Sequence, residues 1–189
     1  MFNDRYSLTQ AVIEGRKTVT RRVVDASGKY SKLRVWQPVI GMRDGLYGCN
    51  DDGWECLFEP YRRDEIVAVA QRYNSFMHPN AAILEKGRHW GRSKGWNNKM
   101  FVRADLMPHQ IRILDIRPER LRNITDEDCM KEGIQVLDGR YYYRDNEGRI
   151  VDDFGNPRAA FAALVDKISK RGTWNKNPFV WRIEFKLVK

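Results

Sequence analysis

The 189-residue sequence holds 42 % apolar and 12 % aromatic residues, enough to bury a core and to exclude wholesale disorder. With 34 basic against 25 acidic residues the chain carries a formal charge of +9, which favours polyanionic partners such as nucleic acid or nucleotides. No apolar run approaches the roughly 18 residues of a membrane span. The polar start, Phe2-Asn3-Asp4-Arg5, has no apolar signal region behind it, so a cytoplasmic location is expected. Cys49, Cys56 and Cys129 form no CxxC pair, and His78, His89 and His109 are scattered. Neither a disulfide framework nor a metal site is expected, and no cofactor is called for.

In chain order, the first element is a short helix. Ser7 and Gln10 have capping-box spacing, Leu8, Ala11 and Val12 form an apolar stripe, and Gly15 marks a left-handed stop. Between 30 and 60, Tyr30, Trp36, Tyr47, Trp54 and Phe58 alternate with glycines, predicting hairpins with turns near Asp44-Gly45 and Asp52-Gly53. Ile66 to Ala70 reads as a buried strand and Gln110 to Arg117 as another. Thr125 to Glu132 is a second short helix, capped by Thr125, stapled by Ile124 and Cys129, and ended by Gly133. Tyr141-Tyr142-Tyr143 belongs to a hairpin turning near Asn146. Asn156-Pro157 opens a third helix with its stripe at Phe161, Leu164, Val165 and Ile168. The last strand alternates Phe179, Trp181, Ile183, Phe185 and Leu187 with a mostly polar second face.

Short strands with three brief helices predict an α+β fold, a small β-barrel with helices at its rim, in one domain over 1–189. Residues 74 to 108 and 134 to 155 have weak periodicity and read as two insertions.

Lys86 to Arg103 holds Lys86, Arg88, Arg92, Lys94, Lys99 and Arg103 without an acid, interleaved with Trp90, Trp96 and Phe101. Backbone neutralisation plus base stacking uses this mixture; a segment pinned by its tryptophans with its charges in water has it too. Arg21-Arg22 can fork onto phosphate or a base edge, or lie on a solvated strand edge. Trp174 and Asn175 could stack on and read a base, whereas Asn177-Pro178 reads as a turn.

Four stretches carry a resemblance: Gly15-Arg16-Lys17-Thr18-Val19-Thr20-Arg21-Arg22; Asp64 to Gln71; Ile111 to Gly133; and Trp174-Asn175-Lys176-Asn177-Pro178 with the strand after it. Over about half the chain, and in the same order, they resemble the ASCH domains of the PUA-like superfamily, the phage-type bacterial members above all. The resemblance implies a PUA-like, mainly antiparallel β-barrel with a cleft beside the first helix. It implies RNA or a modified nucleoside or nucleotide as ligand, without metal or cofactor. Arg16, Arg21, Arg22, Gln71, Arg88, Trp90, Lys94, Trp96, Lys99, Trp174 and Asn175 are the candidate contacts.

One small bacterial ASCH group, similar to this chain in G-R-K-T-x-T, in a Glu near the end of the following short helix and in the closing I-E-F-K strand, implies an alternative: deacylation of N4-acetylcytidine. Lys17 would be the base, Thr20 the nucleophile and Glu132 the acid/base. The chain departs from the common family pattern in Thr20 where Glu is usual, Arg63 for the Gly of "GD", and Gln71 where many members carry Glu. A phage-borne protein-interaction or regulatory module is a third expectation.

Overall fold

A computed structural model describes residues 2–24, 35–39, 45–50, 53–77, 83–84, 88–89, 93–169 and 171–189. Its centre is an antiparallel four-strand sheet, curled into a half-barrel, in the order β1 (Val19–Val23), β12 (Phe179–Leu187), β8 (Gln110–Arg120), β5 (Ile66–Ala68). Three smaller sheets join it: β2 (Val35–Val39) with β3 (Gly45–Asn50) and β4 (Gly53–Phe58), β6 (Ile83–Leu84) with β7 (Arg88–His89), and a meander of β9 (Gln135–Leu137), β10 (Arg140–Arg144) and β11 (Ile150–Phe154). The helices are short: α1 (Leu8–Ile13), α2 (Asp126–Lys131), α3 (Pro157–Ser169) and α4 (Thr173–Lys176). The architecture is therefore mixed α+β, and no described helix is long and apolar enough to cross a membrane.

The expected hairpins form. Asn50 pairs with Gly53 and Val39 with Gly45; Asp44, Asp52 and Tyr30 lie outside the described residues. The tyrosine run is β10, pairing with β11 across a turn at 145–149.

β8 and β12 run together for nine paired positions and set the core. Ile111, Ile113 and Ile116 break strict alternation, because the last two are three positions apart. The register shifts between Glu184 and Phe185, so Glu184 pairs with Asp115 but Phe185 with Ile113. Leu114 is the extra residue of this bulge and is exposed, while all three isoleucines stay buried. Pro118 sits beyond the three residues of β8 that pair with β5, where its missing N–H leaves no ladder bond unmade on that side.

The first half of the second face of β12, Val180 and Arg182, is buried as well, where the sequence pattern leaves that face mostly polar; Lys186 on the same face is exposed. Trp181, Ile183 and Phe185 join Val12, Ile113 and Ile116 on one side, whereas Val180 packs with Leu121, Ile124, Phe161 and Leu164 on the other. The polar residue between them, Arg182, is itself only 5 % exposed. The helices cover a face that alternation alone assigns to solvent. Ile66–Ala68 differs in the opposite sense: β5 is a sheet edge and Ile66 is 45 % exposed.

The caps divide. Thr125 accepts the Asp128 N–H through Oγ1 at 3.1 Å, and Ile124 and Cys129 meet in the core, as expected. Asn156 Oδ1 accepts from Ala159 N at 2.8 Å and starts α3 with Pro157 in its first turn. Ser7 forms no capping box. It ends a 3-10 turn over Asp4–Tyr6 in the left-handed conformation, and its Oγ donates to Asp145 O at 2.5 Å. Gln10 instead donates to Glu14 Oε1 at 2.9 Å.

Candidate nucleotide-binding cleft

Gly15 (φ +72°) ends α1 and turns the chain, as its position implies. Lys17 therefore precedes β1 rather than lying within it. In a strand, Lys17 and Thr20 would point to opposite faces; the turn relieves that conflict, and both line one cleft. Gly133, just past α2, has φ +107°, and a Cβ there would lie 3.3 Å from Leu8 Cδ2 and 3.9 Å from Lys17 Cδ. The absent side chain lets α1, Lys17 and the end of α2 close together.

Lys17 is 2 % exposed and Glu132 4 %. Lys17 Nζ donates to Val19 O at 2.8 Å, to Glu132 O at 2.9 Å, and in a short contact to Glu132 Oε2. Its three donors thus have three acceptors. The ammonium also meets the carbonyl end of α2, where the helix dipole is negative. Burial is the largest influence on the Lys17 ammonium and lowers its pKa; Glu132 opposes that, and Arg22 and Arg21 add to it, leaving the group below its ordinary value.

Arg21 lies beside this pair with its side chain 2 % exposed. It reaches Glu119 Oε1 at 2.7 Å, Asp128 Oδ2 at 2.6 Å and Glu132 Oε1 at 3.3 Å. Asp128 in turn is gripped by Arg182, Nε to Oδ2 at 2.7 Å and Nη2 to Oδ1 at 3.0 Å. Burial opposes the charge of Asp128, but hydrogen bonds from Arg182 and Arg21 outweigh it and hold the carboxyl well below the carboxylate range. Three carboxylates (Glu119, Asp128, Glu132) face three cations (Lys17, Arg21, Arg182), so the cluster is close to neutral. These carboxylates converge on arginine, and no group of three His, Cys, Asp or Glu suited to a metal ion occurs among the described residues.

Above the pair opens a cleft of about 1050 Å³, at the upper end of the range for small-molecule sites. Lys17, Thr20, Arg21, Arg22 and Glu132, the five residues expected to form it, all line it. Thr20 is half-buried, and its hydroxyl makes no hydrogen bond with a described residue. One wall is apolar, from Phe161, Leu164, Val165 and Ile168 of α3. Arg5, Arg72 and Lys176 stand at the cleft without an ion pair to a described acid. Arg22 lies over the Phe2 ring at 5.9 Å.

The other expected contacts scatter. Arg16 is exposed and paired with Glu14 at 2.5 Å, outside the cleft. Gln71 lies outside it too, with its N–H on Met107 Sδ and its buried Oε1 unpartnered. Lys94 is exposed over Phe101 at 5.5 Å, and neither it nor half-buried Trp96 lines the cleft. Lys99 does line it, but as a strut: Nζ bonds Asp4 Oδ1 at 2.8 Å, Thr9 Oγ1 at 3.3 Å and Phe2 O, tying its 3-10 turn to the N-terminal segment. Trp174 packs edge-on to Phe161 with centroids 6.2 Å apart, and Asn175 is exposed beside it; neither faces the cleft, although Thr173 and Lys176 do. Asn177 is a turn residue (φ +46°) whose Oδ1 accepts the Arg122 N–H at 2.8 Å. Trp90 lies outside the described residues, and only the backbone of Arg88 is described.

Sequence reasoning missed Asp128, Arg182 and Glu119. The legible signal was Arg182, a lone arginine between Trp181 and Ile183 in a strand with six apolar residues of nine. The chain matches no family model, no curated protein and no solved structure.

Proposed function

We propose that this protein binds RNA or a modified nucleotide in the cleft beside α1, on a PUA-like, ASCH-type frame whose additions lie at about 74–108 and 134–155. The observation that carries this reading is the row of Arg5, Arg72 and Lys176 at the cleft, none paired with a described acid, in a chain of charge +9. Cations left without carboxylates suit phosphate, and Arg does so by a two-pronged hydrogen bond. The apolar α3 wall suits a base or sugar face. Lys94 and Trp96 do not line the cleft, although Asn97, Asn98 and Lys99 do, so this reading does not rest on base stacking by Trp96.

Thr20 supports a second reading, amide hydrolysis on an N4-acylated cytidine. Its hydroxyl makes no hydrogen bond with a described residue and shares the cleft with the buried Lys17–Glu132 ion pair. In that reaction Thr20 Oγ attacks the acyl carbon and gives up its proton, the C–N bond breaks, and the amine of cytidine takes a proton as it leaves. Water then releases the acyl group as a carboxylic acid. Lys17 with three acceptors around Nζ has no lone pair to act as base. It must first pass a proton to Glu132, along the short contact between them.

Two assays decide between the readings. Fluorescence anisotropy with a single-stranded RNA hexamer at 50 and 200 mM salt tests binding. The expected affinity falls with salt, and Arg72→Gln or Lys176→Gln lowers the log–log slope by about 1 each if that residue meets a phosphate. Chromatography of N4-acetylcytidine incubated with protein, scored for cytidine, tests hydrolysis. Product from wild type and none from Lys17→Ala selects the enzyme; affinity without product selects the binder.

A further inference from the structure

Resting on the nucleotide-binding reading, we infer that the ligand is a single RNA strand, not a free nucleotide, laid along the open edge of β1 for about four nucleotides. The outward peptide groups of Arg21 and Val23 hold its backbone.

β1 is an outer strand of the central sheet, with β12 on one side and no described strand on the other. In an antiparallel pair the peptide groups of alternate residues face the partner strand, and those between face away. The bonds at the two ends of β1 settle which are which. Thr18 O accepts from Phe185 N at 2.9 Å, and Val24 N donates to Phe179 O at 3.0 Å. Thr20 and Arg22 therefore face β12, whereas Val19, Arg21 and Val23 face outward. Val19 O is taken by Lys17 Nζ. The N–H and C=O of Arg21 and of Val23 have no partner among the described residues. The Arg21 side chain is 2 % exposed, yet the residue as a whole is only half-buried, so what it shows to solvent is main chain.

The cleft runs along this edge. Thr20, Arg21, Arg22 and Val23 all line it. Successive side chains of a strand point to opposite faces, so an unbroken run of four belongs to a cleft that opens on the edge, not on one face. Its free cations mark two ends. Lys176 lies three residues before Phe179, where β12 begins. Arg72 follows β5, whose pairing with Gln110–Arg112 sets it beside Leu187, where β12 ends. The two cations thus stand by opposite ends of a nine-residue strand, about 25 Å apart along it.

A mononucleotide is too short to meet both. A strand does so, and its repeat fits the edge: one nucleotide adds six backbone bonds, as two amino-acid residues do, so nine residues match about four nucleotides. The Arg21 and Val23 N–H groups, two residues apart, then fall one nucleotide apart and donate to successive phosphates. The carbonyls of the same residues need donors. RNA supplies one per nucleotide in its 2′-OH, and DNA lacks it. An open sheet edge also suits a peptide strand. Arg5, Arg72 and Lys176, with no described acid beside them, favour the polyanion.

The test is anisotropy of labelled U6 RNA on the full chain, displaced by unlabelled UMP, U2, U4, U8 and dU6. Affinity should rise at least about tenfold from UMP to U4 as phosphate contacts accumulate, and then level off. The deoxy strand dU6 should bind about fivefold more weakly than U6, for one hydrogen bond lost. Val23→Pro removes one outward N–H at a place where an edge strand tolerates proline, and leaves the bonds to β12 intact. It should weaken U6 about fivefold with thermal melting close to wild type. UMP displacing as well as U4 overturns this inference and leaves the nucleotide-binding proposal standing. Equal affinity for U6 and dU6 overturns the role of the carbonyls. Unchanged U6 affinity in a folded Val23→Pro overturns the role of the N–H groups; if that variant does not fold, the length and sugar comparisons still decide. Binding of no oligonucleotide overturns the nucleotide-binding proposal, and this inference with it, and leaves the edge to a peptide strand.

Discussion

Arg182 of β12 and Asp128 of α2 meet in a two-pronged ion pair, with bonds of 2.7 and 3.0 Å between residues that are 5 % and 6 % exposed. The pair joins the sheet to the helix carrying Glu132. Through Asp128 Oδ2 it also fixes Arg21, which reaches Glu132. The floor of the cleft is thus held from behind by charges that do not themselves line it.

Breaking this pair from one side leaves a buried charge short of its main partner: Asp128 keeps only Arg21, and Arg182 only the partly exposed Glu184. Arg182→Met is expected to cost about 3 kcal/mol, and Asp128→Ala a similar amount. The double variant should cost less than the sum, because neither charge is then orphaned. Urea unfolding of the four proteins measures this; strict additivity would show that the two residues do not interact.

Acid should expose the same contact. The Asp128 carboxyl is held below its unfolded value, so its contribution is fully present above about pH 4. It fades as the pH falls below that value and is gone once the folded carboxyl protonates. Between pH 5 and pH 2, wild type should therefore lose stability more steeply than Asp128→Asn. Thermal melts across that range test the sign.

Lys17 predicts the opposite limb. Its folded pKa lies below the unfolded value of about 10.4, so in the window between them the native state binds fewer protons. Stability from this group then rises with pH through that window. Lys17→Met should remove the rise, while costing about 3 kcal/mol at pH 7 by leaving buried Glu132 with only the longer contact to Arg21. Denaturant midpoints from pH 7 to 10 compare the two slopes.

Thr20→Val separates the two functional readings at one atom. The hydroxyl has no described partner, so stability should change by less than about 1 kcal/mol. Affinity for an RNA hexamer should hold within about threefold. Any release of cytidine from N4-acetylcytidine should disappear. Turnover that survives Thr20→Val would remove Thr20 as the nucleophile.

Two glycines distinguish backbone strain from crowding. Gly15→Ala forces an L side chain into φ +72° in open space and should cost about 1 kcal/mol. Gly133→Ala carries the same kind of strain and also presses Leu8 at 3.3 Å, so it should cost about 1 kcal/mol more. Equal midpoints for the two variants would show that Leu8 yields freely.

Much of the local structure was legible in the sequence because local chemistry determines it. Thr125, Asn156 and Gly15 act through backbone groups within four residues of themselves, and a cap or a left-handed stop needs nothing more. The Lys17-Thr20-Arg21-Arg22 stretch and Glu132 were singled out together by the resemblance, and all five residues line one cleft. Other features were decided only by tertiary structure. Ser7 has the spacing of a cap, yet its hydroxyl goes to the distant Asp145 carbonyl. Arg182 looks solvent-facing by alternation, but α2 brings Asp128 over it. Lys99 looks like an RNA contact until the fold sets Asp4 beside it. Alternation and composition report what one segment can do alone. Which opposite charge or which helix covers it is settled by residues 50 to 100 positions away, through contacts whose free energy exists only once the chain has closed.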